Sequence, residues 1–312
     1  MGHKPKHAKK SSASSKIWLI AAFIIVAAVI AVIWAGVDGR GETEGASSLS
    51  VSADVPQLSE QSDASSPDSQ SISDDGDVLD PSPETIELDA GLFSSEGGRI
   101  YYDGDVFYGI DVSRFQGEID WEAVAADGID FAIIRAGLRG YETPNLVEDP
   151  MCRDNIAAAL AAGLDVGLYF HSQAITAEEA VEEAQFLLGI AEDYEITYPL
   201  VIDWERQTAD TSRTRDIEGG DVTAFCAAFC EEIENSGYTA AFYFNPTDSS
   251  SGLDAGALSD YIFWMAQYDA DVPDLSYDLD IWQYSNTGAV SGIEGNVDLN
   301  ICFCNFSSAE GE

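Results

Sequence analysis

Beyond residue 16 the chain has no lysine. All five, Lys4, Lys6, Lys9, Lys10 and Lys16, stand before that point, and the 312 residues hold 14 basic side chains against 56 acidic ones, a formal charge of −42. A surface so poor in cations repels phosphate backbones and anionic headgroups, which argues against nucleic-acid binding. Histidine is almost absent too: His3 and His7 lie in the lysine-rich tail, which leaves His171 without a metal-ligand neighbour or a Ser or Cys partner discernible from sequence. It therefore reads as structural. The five cysteines are odd in number, and neither Cys226/Cys230, four apart on a predicted helix, nor Cys302/Cys304, two apart on a predicted strand, has a usual disulfide spacing. They read as small buried apolar side chains, and no metal or cofactor is expected.

What the chain does have begins with residues 17–37, an unbroken apolar run flanked by the lysines on one side and holding Trp18 and Trp34 near its two ends. A helix of this length spans the roughly 30 Å of a bilayer core. The basic flank sets the N-terminal side in the cytoplasm, so the expectation is a basic tail (1–16), a single-pass signal-anchor (17–37) contacting the lipid bilayer, and an extracellular remainder. A cleaved signal peptide is the competing reading, but the run exceeds the usual apolar core and residues 34–38 make a weak cleavage site. Residues 38–99 are rich in Ser, Asp, Glu and Gly and poor in aromatics, the composition of an extended, self-repelling, disordered linker.

From residue 100 to 312 short apolar runs alternate with amphipathic stretches. The pattern predicts strands over 108–112, 131–135, 166–171, 200–204, 241–244, 263–268, 281–284 and 297–303. Helices are predicted over 121–126, 151–162, 177–191 and 221–236, three of them ending near Gly128, Gly163 and Gly237. Eight strands with helices concentrated in the first half point to parallel strands joined by crossovers: an α/β fold, specifically an irregular β/α (TIM-like) barrel. Short late connections imply that the second half departs from regular alternation. In such barrels the reactive groups gather at the carboxyl ends of the strands.

That rule selects the acids. Asp203 and Glu205, two apart at the end of an apolar strand, project to the same face, with Trp204 turned away. Two carboxylates brought together on an apolar floor separate in pKa, the division of labour that glycosidic cleavage uses. Asp111 and Asp298 stand at the ends of the first and last strands, which are neighbours once a barrel closes. Tyr169, Tyr243, Trp282, Gln267 and Gln283 gather at the same ends, and flat aromatics with amide partners suit sugar rings. Trp264 reads equally as core or site.

These segments resemble glycoside hydrolase family 25, the Chalaropsis-type lysozymes that cleave bacterial peptidoglycan. The resemblance covers roughly residues 107–306. It rests on Tyr108-Gly109-Ile110-Asp111-Val112-Ser113 with Phe115-Gln116-Gly117, Ile119-Asp120-Trp121, Phe131-Ala132-Ile133-Ile134-Arg135, Leu200-Val201-Ile202-Asp203-Trp204-Glu205, Trp264-Met265-Ala266-Gln267-Tyr268, Ile281-Trp282-Gln283-Tyr284-Ser285 and Val297-Asp298-Leu299-Asn300. It implies an N-acetylmuramidase acting on peptidoglycan glycan strands, with Glu205 as general acid and Asp203 steering the substrate's 2-acetamido group. Asp111 and Asp298 would bind sugar and tune the pair, and Tyr169 and Tyr243 would contact the acetamido group or the ring. The alternatives are a chitinase-like glycosidase and a non-catalytic wall-binding scaffold on the same fold. No wall-binding repeats are evident, a departure from the family pattern that the anchor and linker would offset by confining the enzyme beneath the wall.

Overall fold

The computed structural model describes residues 85–246 and 252–306. The expected basic tail, the apolar span 17–37 and the linker as far as residue 84 lie outside the described residues. Among those described, no helix is long and apolar enough to cross a membrane.

The strands are β1 (Phe93–Glu96), β2 (Arg99–Tyr102), β3 (Phe107–Val112), β4 (Phe131–Arg139), β5 (Leu146–Glu148), β6 (Asp165–Ser172), β7 (Leu200–Trp204), β8 (Ala240–Phe244), β9 (Ile262–Ala266), β10 (Ile281–Gly288) and β11 (Val297–Cys302). The helices are α1 (Trp121–Ala126), α2 (Cys152–Ala161), α3 (Ala177–Ala191) and α4 (Gly219–Asn235). Helix starts and stops follow the local sequence. Asp120 caps α1 by accepting from Ala123 N, and Thr176 caps α3 by accepting from Glu179 N. The three glycines expected to stop helices all take positive φ, 84–85°.

Eight strands close a barrel in the order β3, β11, β10, β9, β8, β7, β6, β4, with β4 returning to β3, while β5 adds itself antiparallel to β4. Strand alternation sorts the side chains. Along β7, Leu200, Ile202 and Trp204 join the outer core with Phe225, Phe229 and Leu187 from the helices, whereas Val201 points inward. Phe131, Ile133, Val201, Ala241, Trp264 and Ile281 fill the barrel floor. Burying each such aliphatic or aromatic side chain contributes roughly 1.5–3 kcal/mol. One inward step beyond that floor the sequence turns polar, at Asp111, Arg135, Asp203, Tyr243 and Gln283.

Two expectations change. The strands are not all parallel, because β11 runs antiparallel to both β10 and β3. Its connection to β10 is a short hairpin, too short for the crossover that a parallel pair requires. The expected linker also ends earlier than residue 99: Thr85 bridges Cys304, Ile86 N donates to Phe303 O, and β1 and β2 form a hairpin. Ile86, Leu88 and Phe93 are apolar residues within that polar stretch, and they pack on the outer core. All five cysteines are free and buried.

Candidate active site

The parallel register sets His171, Asp203 and Tyr243 side by side on β6, β7 and β8. His171 Nδ1 lies 3.0 Å from Asp203 Oδ2 and donates to it, while Nε2 meets the Tyr141 hydroxyl at 3.3 Å. Burial opposes an imidazolium here, yet the Asp203 carboxylate, with Glu205 beyond it, holds the His171 pKa above its usual value. Asp203 Oδ1 is buried and has no hydrogen-bond partner. Glu205 lies just past the strand end with its side chain exposed, and Gln173 Nε2 fixes its main chain by donating to the Glu205 carbonyl at 2.8 Å. One oxygen each from Asp203 and Glu205 and a His171 nitrogen all lie within 4.8 Å of one another. By distance such a trio fits a metal ion. By donor chemistry it does not, since both imidazole nitrogens are already engaged, with Asp203 and with Tyr141.

Asp111 and Asp298 sit directly opposite each other across β3 and β11. Asp111 Oδ2 accepts from Gln283 Nε2 at 2.8 Å and from Asn300 Nδ2 at 2.9 Å. Burial pushes both acids well above the usual carboxylate range, and they are hydrogen-bonded to each other. Two buried carboxylates in contact do not both ionise. The amide donors favour the charge on Asp111, which leaves the proton on Asp298 as donor between them. The antiparallel course of β11 makes this pair, since Asp298 stands at the start of its strand and a parallel β11 would carry it to the opposite end of the barrel.

The aromatic side of the mouth is a network. The hydroxyls of Tyr243 and Tyr268 donate to Gln283 Oε1, whose amide nitrogen in turn reaches Asp111. Gln283, only 3% exposed, therefore joins the tyrosines to the acid pair. Tyr169 and Tyr243 stand edge-on to Trp264 at 6.2 and 5.1 Å, and Trp264 Nε1 donates to Asn300 Oδ1, so Trp264 is floor and Tyr169 and Tyr243 line the mouth above it.

Two expected sugar contacts fall elsewhere. Trp282 alternates to the outer face of β10, fully buried with its ring 5.9 Å from that of Phe93. The Gln267 side chain accepts from Asp274 N at 2.7 Å and closes the loop after β9. Conversely, Asn300 was recoverable from its parity with Asp298. Tyr141 carries no signal, because it lies in the β4–β5 connection and reaches the site only through the fold.

The sequence model of glycosyl hydrolases family 25 matches residues 110–293. Lysozyme M1 of Streptomyces globisporus is 30% identical over 207 residues, covering 62% of this chain and 66% of that protein. The bacterial lysozyme of Streptomyces coelicolor superposes with a TM-score of 0.53 at 25% identity, over 64% of this chain and 92% of the other. The modular autolysin LytC of Streptococcus pneumoniae, solved with a synthetic peptidoglycan ligand, superposes at 0.57 with 21% identity, over 67% and 51%. The chain spans 54% to 68% of the length of the curated relatives it matches. With a closed barrel, four acids at its carboxyl end and a family match that takes in Asp111, Asp203 and Glu205, the chain belongs to glycosyl hydrolases family 25.

Proposed function

We propose that the protein is a peptidoglycan hydrolase, an N-acetylmuramidase that cleaves the β-1,4 bond between N-acetylmuramic acid and N-acetylglucosamine. The observation that carries the reading is the spacing of Asp203 and Glu205, whose nearest ligand oxygens lie within 4.8 Å. Glycosidases that retain configuration hold their carboxyls about 5–5.5 Å apart, while inverting enzymes need about 6.5–9.5 Å to admit a water. An approach this close is compatible with the first group.

In this reading Glu205, on the solvent side, gives its proton to the leaving glycosidic oxygen as that bond breaks. Asp203 Oδ2 is occupied by His171, which leaves the buried and unpartnered Oδ1 to accept from the N–H of the substrate's 2-acetamido group. So oriented, the acetamido oxygen attacks the anomeric carbon and forms a cyclic oxazolinium ion. A water then opens that ring and returns its proton to Glu205. The Asp111–Asp298 pair, with one charge and one proton, offers an acceptor and a donor to sugar hydroxyls. The lysozyme name of a relative 30% identical supports the reading.

On sequence grounds we also propose that residues 17–37 anchor the chain in the cell membrane with the barrel outside. Carbonate-resistant membrane association, and protease access to the barrel in intact cells whose wall has been removed, are the expected results. Release by carbonate sinks the anchor.

The activity test is incubation of the detergent-solubilised chain with purified peptidoglycan, followed by mass spectrometry of the new reducing ends. Muramic-acid ends support the muramidase. N-acetylglucosamine ends, or release of chitin oligomers only, favour the chitinase-like alternative, and binding without cleavage favours the scaffold.

A further inference from the structure

The acid excess makes one cation conspicuous. Residues 100–312 hold seven arginines against 41 acids. Arg135, Arg139, Arg153, Arg213 and Arg215 are ion-paired with carboxylates, as is Arg99 just before them, and Arg206 donates to the carbonyls of Thr214 and Arg215. Among the described residues the Arg114 guanidinium is paired with no acid. It is exposed and rests against the ring of Phe115, 5.1 Å from the centroid.

Phe115 is itself the most exposed large hydrophobic side chain among the described residues, at 62%. The turn that carries both residues is firmly built. Ser113 Oγ accepts from Phe115 N, Gln116 Oε1 accepts from Ser113 N, and Asp149 Oδ2 accepts from Arg114 N at 3.2 Å. The same Asp149 oxygen holds the buried Arg135 at 2.7 Å, and the Arg135 guanidinium also lies 5.1 Å from the Phe115 centroid. Asp149 neutralises Arg135, so the Arg114 charge is left uncompensated.

The turn follows directly on Asp111 at the mouth of the barrel. Tyr141, whose hydroxyl reaches His171, feels the charges of Glu205 and Asp203 as well as those of Arg135 and Arg114. An exposed guanidinium among so many acids ordinarily finds one of them. Here the acid that binds the Arg114 main chain is spent on Arg135, and an exposed cation stands beside an apolar ring on the turn that leaves the barrel mouth. A guanidinium fork is matched to a carboxylate, and the ring to the apolar face of a sugar or an alkyl group beside that carboxylate.

We propose that Arg114, seated on Phe115, is a carboxylate-reading subsite at the rim of the cleft, engaging an acidic substituent of the glycan's muramic residues. The inference rests on the muramidase reading above and names the part of the substrate that this rim selects. The carboxylate is either the lactyl group of a peptide-free muramic residue or one carried on the stem peptide. In both cases the subsite counters the repulsion that so acidic a surface exerts on an acidic substrate.

The test uses the detergent-solubilised full chain and three glycan preparations: strands bearing stem peptides, strands stripped of peptide with free lactyl carboxylates, and stripped strands whose lactyl carboxylates have been converted to methylamides. For Arg114→Ala the expected result is a KM raised about three- to tenfold on a carboxylate-bearing strand with kcat retained, and no change on the methylamide strand. Arg114→Lys should recover part of the loss, and the loss should shrink as salt is raised. A rise on peptide-bearing strands alone identifies the peptide carboxylate, and a rise on the stripped acidic strands identifies the lactyl group. Equal KM values for wild type and Arg114→Ala on both acidic strands overturn the subsite. An equal loss on all three strands overturns it as well, because the effect is then blind to charge. Wild-type protein that cuts none of the three fails one level earlier, at the muramidase reading, and takes the subsite with it.

Discussion

At the residue scale the site assigns distinct work to similar side chains. Glu205→Gln removes the only proton donor proposed for the leaving oxygen, so kcat should fall about 10²–10⁴-fold in a reducing-end assay, far more than for Asp111→Asn. Equal losses for the two variants would contradict the assignment. His171 supplies a pH-dependent check. Its folded pKa is raised, so its pairing with Asp203 stabilises fully below the unfolded value of about 6.5, and that contribution disappears as pH rises through the folded pKa. His171→Phe should therefore melt below wild type most markedly in acid, and the pH-dependent part of the gap should close on the alkaline side. A gap that widens with pH would contradict the pairing. The acids were legible in the sequence because strand parity and strand ends point to them. The histidine's role was not, since its partners Asp203 and Tyr141 are 32 and 30 residues away along the chain.

At the element scale, the barrel's mouth is braced from behind by Arg139 at the end of β4. It is 1% exposed and bonds Glu183 Oε1 of α3 at 2.6 Å and the Glu179 carbonyl at 2.8 Å. Arg213, from the connection after β7, bonds Glu179 Oε1 and the Gln173 carbonyl, so strand, helix and loop share one ionic knot. Removing one member of a buried pair leaves the other charge unmatched, so Arg139→Met should cost about 3–5 kcal/mol in urea unfolding. A loss within 1 kcal/mol, about the value of a surface pair, would show that the knot is not coupled to folding. Element positions came through from periodicity: α1 and α3 match their expected bounds, and β7 does as well. The direction of β11 did not, because a strand's alternation reads the same in either sense. The N-terminal hairpin was hidden because its few apolar residues sit in a stretch whose bulk composition is that of a linker.

At the scale of the whole molecule, charge dominates. A chain of −42 repels acidic wall polymers as well as its own carboxylates, and both effects ease on protonation or screening. Activity on peptidoglycan should therefore favour acidic pH or raised ionic strength, and a pH–rate profile flat from weakly acid to alkaline conditions would refute this. The sequence by itself pointed to the barrel class, the succession of its strands and the four acids, because burial and alternation are local properties written residue by residue. Barrel closure, legible in the sequence, already set Asp111 beside Asp298; only the tertiary structure decided that an antiparallel last strand makes this pair and that parallel register joins Asp203 to His171. It also turned Trp282 outward and left Arg114 unmatched at the rim. Those outcomes depend on strand direction, on register and on which charge reaches which partner first, and these are settled only when distant segments meet.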